Sequence, residues 1–95
     1  MNLYTIRRRD FWDTAEALQE TAARSAQVGE EMSGDVRWIR SYVVREGSGK
    51  LGTVCIYEGT SAEKVREQAE RAGMPADEIA LVEDTVLVRP DPVHA

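Results

Sequence analysis

The chain has 95 residues, enough for one domain with a modest hydrophobic core. Its composition, 42% hydrophobic and 31% charged, is typical of a folded globular domain and excludes a disordered tail. Twelve basic and seventeen acidic side chains give a net charge of −5, which argues against nucleic acid or an anionic membrane as a partner.

Cysteine usage and hydropathy bear on the compartment. Cys55 is the only cysteine, so no internal disulfide can form, and a reducing environment is the simpler assumption. The segment 1–10 lacks the apolar run of a signal peptide, and no stretch approaches the roughly 20 apolar residues of a membrane span. We therefore expect a cytoplasmic protein.

The first third of the chain predicts a strand followed by a helix. Residues 3–8, "LYTIRR", are rich in β-formers and predict a short strand. Asp13 and Glu16 have the spacing of a capping box, which predicts that a helix starts there. An apolar stripe of small residues follows, and it predicts the face that packs on the sheet: Leu18, Ala22 and Ala26. The helix is expected to end between Gly29 and Gly34.

The middle of the chain predicts a β-hairpin. Residues 36–46, "VRWIRSYVVRE", are rich in β-branched and aromatic residues, as strands are. Gly47 to Lys50, "GSGK", is the expected four-residue turn, and residues 51–59, "LGTVCIYEG", form the returning strand.

The last third predicts a second helix and a final strand. Thr60 or Ser61 is expected to cap this helix, whose apolar stripe comprises Ala62, Val65, Ala69 and Ala72. Gly73, Met74 and Pro75 form a C-terminal stop signal. The segment "IALVEDTVLVRP" contains the last strand.

This order of elements, strand–helix–strand–strand–helix–strand, predicts an α+β, ferredoxin-like βαββαβ fold. Right-handed crossovers place both helices on one face of a four-stranded antiparallel sheet. We expect a single domain over residues 1–89 and a flexible C-terminal tail over residues 90–95.

A four-residue turn would place Val43 opposite Val54 and Tyr42 opposite Cys55. Ile39, Ser41, Val43, Val54 and Ile56 then face the helices, together with Tyr4 and Ile6 of the first strand. The opposite, open face then carries Thr5, Arg7, Trp38, Arg40, Tyr42, Val44, Thr53, Cys55 and Tyr57. A β-bulge would shift this assignment by one residue and invert it.

An open face with this much aromatic and apolar surface is unusual for a monomer, so we expect a homodimer in which two sheets pack as a dimeric α/β barrel. The residues of this face that are expected to bind a ligand are Arg7, Trp38, Arg40, Tyr42, Thr53, Cys55 and Tyr57. Arg7 and Arg40 could clamp an anion; the alternative is that each pairs with an acidic residue. Cys55 is either a small apolar filler or a reactive thiol. The aromatic residues serve either as dimer core or as a platform for a planar ligand.

The residues between Trp38 and Ile79 resemble a family of small bacterial domains of unknown function, family 4242, labelled nickel-binding-protein-like. "WIRSYV" and "GTVCIYEGTSAEKVREQAERAGMPADEI" carry the resemblance: a strand ends in Tyr-Glu, a helix starts at Ser-Ala-Glu, and it stops at Ala-x-x-Ala-Gly-x-Pro. The resemblance implies a ferredoxin-like, usually dimeric architecture, and it implies nickel as a ligand.

The residues themselves predict no cofactor. Nickel favours imidazole, and the only histidine is His94, the penultimate residue. The function predicted is therefore a small-ligand or metal-binding module with a pocket on the open sheet face. Its ligand is a small anionic or aromatic molecule or, as the resemblance implies, a metal. The alternative is a cofactor-free enzyme of the dimeric-barrel type, a monooxygenase or cyclase, which rests on fold analogy.

Overall fold

The computed structural model describes residues 1–93 and has the predicted ferredoxin-like architecture. Three antiparallel pairings join four strands into one sheet in the order β2-β3-β1-β4, and both helices pack on one of its faces. Among residues 1–93, neither helix has the length and apolar character that crossing a membrane requires. The elements are β1 (Asn2–Trp12), α1 (Ala15–Glu31), β2 (Val36–Arg45), β3 (Leu51–Gly59), α2 (Ala62–Arg71) and β4 (Glu78–Leu81).

Helix α1 begins one residue later than the capping box predicts. The Thr14 hydroxyl accepts a hydrogen bond from the Ala17 amide at 3.1 Å, so Thr14 and not Asp13 is the N-cap. The side chains that α1 buries are short and partly polar: Thr21, Ser25 and Val28. Ala26 is exposed, so its assignment to the packing stripe is wrong.

Helix α2 follows its prediction closely. Ser61 is the N-cap and accepts from the Lys64 amide at 3.2 Å. Val65, Ala69 and Ala72 are fully buried. The stop signal acts as expected because Gly73 adopts a positive φ of 75° and the Met74 amide then bonds back to the Ala69 carbonyl at 2.9 Å.

Strand β1 has the predicted alternation of faces. Tyr4 and Ile6 are buried beneath the helices, whereas Arg7 points to the open face. The same alternation carries Arg8 to the helix side, where only 2% of its surface is exposed. After Arg8 the chain bulges outward opposite Gly52, and it returns to pair Trp12 with Leu51.

The β2–β3 hairpin is the main departure from the sequence prediction. Arg45 pairs with Leu51, so the loop comprises five residues, 46–50, and the register shifts by one. Tyr42 therefore opposes Val54, and Ser41 opposes Cys55. The shift inverts the faces of β3: the helix side receives Thr53, Cys55 and Tyr57, all buried, and the open side receives Val54 and Ile56.

A β-bulge at Ile39 changes β2 as well. Trp38 opposes Tyr57, whereas Arg40 opposes Ile56, so one extra residue lies between them. The bulge places Trp38 on the helix side, which corrects its predicted position on the open face. Arg40, Tyr42 and Val44 lie on the open face, as predicted.

The segment after β4, residues 82–93, extends without regular structure to the opposite edge of the sheet. The Val82 amide bonds to the Leu3 carbonyl at 2.9 Å, next to β4. The Asp91 carboxylate accepts from the Tyr42 hydroxyl at 2.7 Å, on β2. Because β4 and β2 are the two edge strands and Tyr42 faces the open side, this segment crosses the open side of the sheet.

Candidate functional site

A cavity of about 490 Å³ lies between α1 and the sheet. Its lining comes from three strands, from α1 and from the turn after α2. The aromatic and apolar part of the wall is formed by Trp12, Leu18, Ala22, Trp38, Ile39, Val43, Tyr57 and Met74. The polar part is formed by Arg8, Ser25, Arg40, Ser41, Thr53 and Cys55.

The sequence of α1 accounts for the position of this cavity. At Ala22 and Ser25 the helix presents two of the smallest side chains toward β2 and β3. Because both side chains are short, they leave the space above Thr53 and Cys55 unfilled. A volume of this size falls within the range of small-molecule sites in proteins, about 300 to 1,000 Å³.

Arg8 is the only charged side chain buried in the cavity wall among the described residues. Its Nε donates to the Pro75 carbonyl at 2.9 Å, and its Nη1 contacts the Cys55 sulfur at 3.3 Å. Its Nη2 is buried and has no hydrogen-bond partner within residues 1–93. The guanidinium is therefore held in place at two of its three nitrogens, and the third is unsatisfied.

Cys55 and Thr53 lie beside Arg8 on β3. The Cys55 sulfur accepts from the Ser41 hydroxyl at 3.0 Å in addition to its contact with Arg8. Thr53 is directly opposite Arg8 in the β1–β3 ladder, and its Oγ1 is buried without a partner among the described residues. This corner of the cavity thus holds one unpaired donor and one unpaired hydroxyl.

Tyr57 forms the link between the cavity and the helix pair. Its hydroxyl shares a hydrogen bond with the Ser25 hydroxyl at 3.3 Å, and Gln68 Nε2 donates to the same Ser25 oxygen at 3.0 Å. Burial raises the pKa of Tyr57 above its ordinary value of 10.0, against smaller opposing effects of Ser25 and Arg8. Tyr57 is therefore a neutral phenol at neutral pH.

Both tryptophans of the chain line the cavity. The Trp38 ring stacks against Tyr57 with ring centroids 6.2 Å apart and an interplanar angle of 10°. The Trp12 indole donates to Thr21 on α1 at 3.1 Å. The aromatic part of the wall is thus held in a defined orientation at both of its tryptophans.

The structure brings five of the seven predicted ligand residues to this cavity and leaves two outside it. Trp38, Thr53, Cys55 and Tyr57 line it from the helix side of the sheet and not in an open-face pocket. Arg40 also borders it, although the Arg40 guanidinium pairs with Asp91 and Tyr42 on the open face. Arg7 and Tyr42 do not line it. Contact of any of these residues with a ligand stays a prediction.

Each arginine of the predicted clamp pairs with a carboxylate in this structure, and anion binding by the two arginines stays a prediction. Arg7 makes a bidentate contact with Glu46 at 2.8 and 2.9 Å. Arg40 Nη1 contacts Asp91 at 2.9 Å, and it also donates to the Tyr42 hydroxyl. These ion pairs are the alternative that the sequence analysis left open for both arginines.

Arg8 was missed as a site residue, although the sequence contains a signal for it. The alternation that places Tyr4 and Ile6 under the helices also places Arg8 there. Arg8 also belongs to the run Arg7-Arg8-Arg9. A run of charges normally marks a solvated strand end, so the run predicted that Arg8 is exposed.

Metal donors are sparse in the described structure. Within residues 1–93, no group of three or more His, Cys, Asp or Glu side chains is arranged to hold a metal ion. Cys55, the one thiol, has the Arg8 guanidinium at 3.3 Å, and this positive charge opposes a cation at the sulfur. His94 lies outside the described residues.

The fold and the cavity together define a class: a ferredoxin-like α+β domain with a partly aromatic cavity between its first helix and its sheet. A family model described as nickel responsive protein SCO4226-like matches residues 4–82, and the chain belongs to this family. The match confirms the expected relation to small nickel-related domains and gives no support to the number 4242.

A solved structure and a search of curated proteins complete the comparison. The crystal structure of SCO4226 from Streptomyces coelicolor A3(2) is similar to this chain, with 27% sequence identity and a TM-score of 0.72. The similarity covers 88% of this chain and 99% of that one. No curated protein matches the sequence.

Proposed function

We propose that this member of the nickel-responsive family is a small-ligand-binding module and that the cavity between α1 and the sheet is its binding site. The observation that carries the proposal is the cavity itself, about 490 Å³ in volume and bordered by Trp12, Trp38 and Tyr57. Ligand sites typically combine such an apolar wall with a few convergent polar groups, as Arg8, Thr53 and Cys55 are here.

Binding is favoured over catalysis by the groups that the cavity offers. Its described lining contains no carboxylate and no imidazole, so Tyr57 and Cys55 are the remaining side chains for proton transfer. Burial raises the pKa of Tyr57, which makes it a poor base at neutral pH. The cofactor-free enzyme is accordingly the second choice, and no observation in the site favours it.

Nickel binding by the chain's own side chains fits the structure poorly. The family description concerns a nickel response, yet the described residues assemble no donor set for the metal. We therefore expect calorimetry of Ni²⁺ with tag-free, dialysed protein to show no stoichiometric site tighter than about 1 μM. A tighter site would show that donors outside the described residues, or between copies of the chain, bind the metal.

Filling the cavity tests the proposed site. Ala22 on α1 is half-buried and lines the cavity, so Ala22→Leu should occupy part of the space and weaken ligand binding. Ala23→Leu adds the same side chain one residue further along α1, at an exposed position, and is the matched control.

Two measurements read out this comparison. Native mass spectrometry with metal analysis would reveal a molecule retained by the purified protein. In ¹⁵N-labelled protein, the two indole N–H signals both come from the cavity wall and should shift on titration with phenylacetate or phenylacetamide. Equal shifts in Ala22→Leu and the parent, or none in the parent with either probe, would contradict the proposal.

A further inference from the structure

The charge of Arg8 is buried without a counter-ion. Only 2% of its surface is exposed, and none of the ion pairs among residues 1–93 includes it. Its hydrogen bonds go to a neutral carbonyl, that of Pro75, and to the sulfur of Cys55, and its charge also acts on the neutral phenol of Tyr57. Buried arginines are normally paired, because an isolated charge in a low-dielectric interior strongly destabilises the fold.

Two unsatisfied polar groups occur together at this point of the wall. Arg8 Nη2 is an unpaired donor, and Thr53 Oγ1, on the residue directly opposite in the neighbouring strand, has no partner among the described residues. A guanidinium donates only, whereas a hydroxyl can donate as well as accept. One oxyanion can therefore accept hydrogen bonds from both groups, which a cation or an apolar group cannot do.

The rest of the wall restricts what the anion can be. Beyond this corner the lining is mainly aromatic and aliphatic, including Trp12, Leu18, Trp38 and Met74. The Arg40 guanidinium is engaged by Asp91 and Tyr42 on the open face, so Arg8 is the one cation that the described wall offers. A single guanidinium suits a monoanionic carboxylate better than a phosphate group, which is usually bound by several donors and charges.

We infer that Arg8 and Thr53 form an oxyanion-binding subsite and that the ligand of this cavity is a small carboxylic acid with an aromatic or apolar body. This inference rests on the proposed function, because it names the class of ligand for the same cavity. The carboxylate would receive hydrogen bonds from Arg8 and Thr53, and the body would contact the aromatic wall. The bound acid supplies the counter-ion that Arg8 lacks.

A matched pair of probes tests the inference. Phenylacetate and phenylacetamide have nearly the same shape and differ in charge, and their affinities can be measured from the Trp12 and Trp38 indole signals. For the full parent chain we expect the acid to bind about 10- to 100-fold more tightly than the amide, as removal of a charged hydrogen bond implies. Arg8→Met should weaken binding of the acid far more than binding of the amide, whose carbonyl accepts only a neutral hydrogen bond, and so should remove this preference.

Control variants separate the subsite from general charge effects. Arg9→Met removes the same charge from the next residue, whose guanidinium pairs with Glu78 at the surface, and it should keep the preference for the acid. Thr53→Val preserves shape and removes only the unpaired hydroxyl, so it should weaken acid binding selectively. This second variant keeps the test decisive if Arg8→Met does not fold.

The outcomes distinguish the two proposals. Equal affinity of the parent for acid and amide would overturn the oxyanion subsite and leave the ligand-binding module standing. Absence of binding by both probes would overturn both. A preference for the acid that persists in both Arg8→Met and Thr53→Val would place the anion elsewhere and also refute the subsite. In melting experiments, phenylacetate should raise the midpoint of the parent and not that of Arg8→Met, whereas sulfate should act equally on both.

Discussion

Arg7 and Arg8 are adjacent in sequence and have opposite environments. Arg7 lies on the open side of the sheet and contacts both carboxylate oxygens of Glu46. Arg8 lies under the helices and has an unpaired Nη2. Strand alternation alone creates this difference, since successive side chains of a strand point to opposite faces. Arg7 therefore connects β1 to the β2–β3 loop, whereas Arg8 is the residue that we propose for the oxyanion subsite.

The Arg7–Glu46 pair makes part of the stability pH-dependent. The hydrogen bond from Arg7 lowers the pKa of Glu46 below its ordinary value of 4.5. Because the folded-state pKa lies below the unfolded one, the pair stabilises the fold above pH 4.5. That contribution is lost as the pH falls through the lower, folded-state value. We expect Glu46→Gln to lower the melting temperature at pH 7. As the pH is lowered, the melting temperature of the variant should then fall less than that of the parent.

The control for this measurement is Glu78→Gln. Glu78 belongs to the exposed Arg9–Glu78 pair, in which both side chains are about half exposed, and surface pairs of this kind contribute little. As the pH is lowered, the melting temperature of Glu78→Gln should therefore fall as much as that of the parent. An equally steep fall of the melting temperature in Glu46→Gln and the parent would show that the Arg7–Glu46 pair does not couple folding to pH.

Face assignment shows where residue-level prediction from sequence reaches its limit. The alternation of β1 was legible because Tyr4 and Ile6 are apolar and their neighbours are not. On β3, by contrast, Val54 and Ile56 are more apolar than Thr53, Cys55 and Tyr57, yet the structure buries the second set. The register that the five-residue loop sets decides which set is buried, and the hydrophobicity of the strand alone does not encode this register.

At the level of elements, the order and type of strands and helices followed from the sequence, whereas the register did not. Helix caps, the stop at Gly73 and the β-rich runs are local signals, so they can be recognised without the fold. Register depends on the loop and on bulges. The loop has five residues where four were expected, and Ile39 forms a bulge, so each one-residue change inverted a set of faces. Five of the seven predicted ligand residues still line one cavity, four of them from the other side of the sheet.

Gly52 provides a test of how closely β3 approaches β1. A Cβ at this position would lie 2.5 Å from the Arg8 carbonyl and would collide with the Glu46 carboxylate. Gly52→Ala should therefore separate the strands at the β1 bulge and displace Glu46 from Arg7. We expect it to lower the free energy of unfolding by about 1 to 3 kcal/mol, as overpacking does. Urea unfolding monitored by circular dichroism would measure the change.

Gly47 is the matched control for Gly52. It lies in the hairpin loop, where an added Cβ meets no atom within 4 Å, and its φ is not positive. Gly47→Ala should therefore change the free energy of unfolding little. Equal effects of the two substitutions would mean that the close approach at Gly52 does not limit packing of the sheet.

At the scale of the whole molecule, the open side of the sheet is only partly covered. The segment 82–93 crosses it and contacts Arg40 and Tyr42 through Asp91. Three consecutive apolar residues of this segment, Val86, Leu87 and Val88, are 77% to 87% exposed. Tyr42 on the sheet is itself 41% exposed. In so small a domain, an apolar run of this length and exposure normally marks a contact surface.

We propose that a second copy of the chain covers this side. The sequence analysis expected such a dimer from Trp38, Tyr42 and Tyr57, of which the structure leaves only Tyr42 on the open side. The exposed apolar residues 86–88 and Tyr42 support the proposal instead. Tyr42→Glu would then bury an added charge in the interface and replace the hydroxyl that donates to Asp91 with a like charge, so it should weaken self-association in sedimentation equilibrium. Val43→Glu is the control. It adds the same charge at the next residue of β2, but the side chain of Val43 points to the helix side. Trp38 also lies on that side, so Trp38→Glu should perturb the cavity and not the association. A parent protein that sediments as a monomer at high micromolar concentration would refute the dimer. If Tyr42→Glu and Val43→Glu weaken self-association equally, the interface lies at the β2 edge and not on the open face.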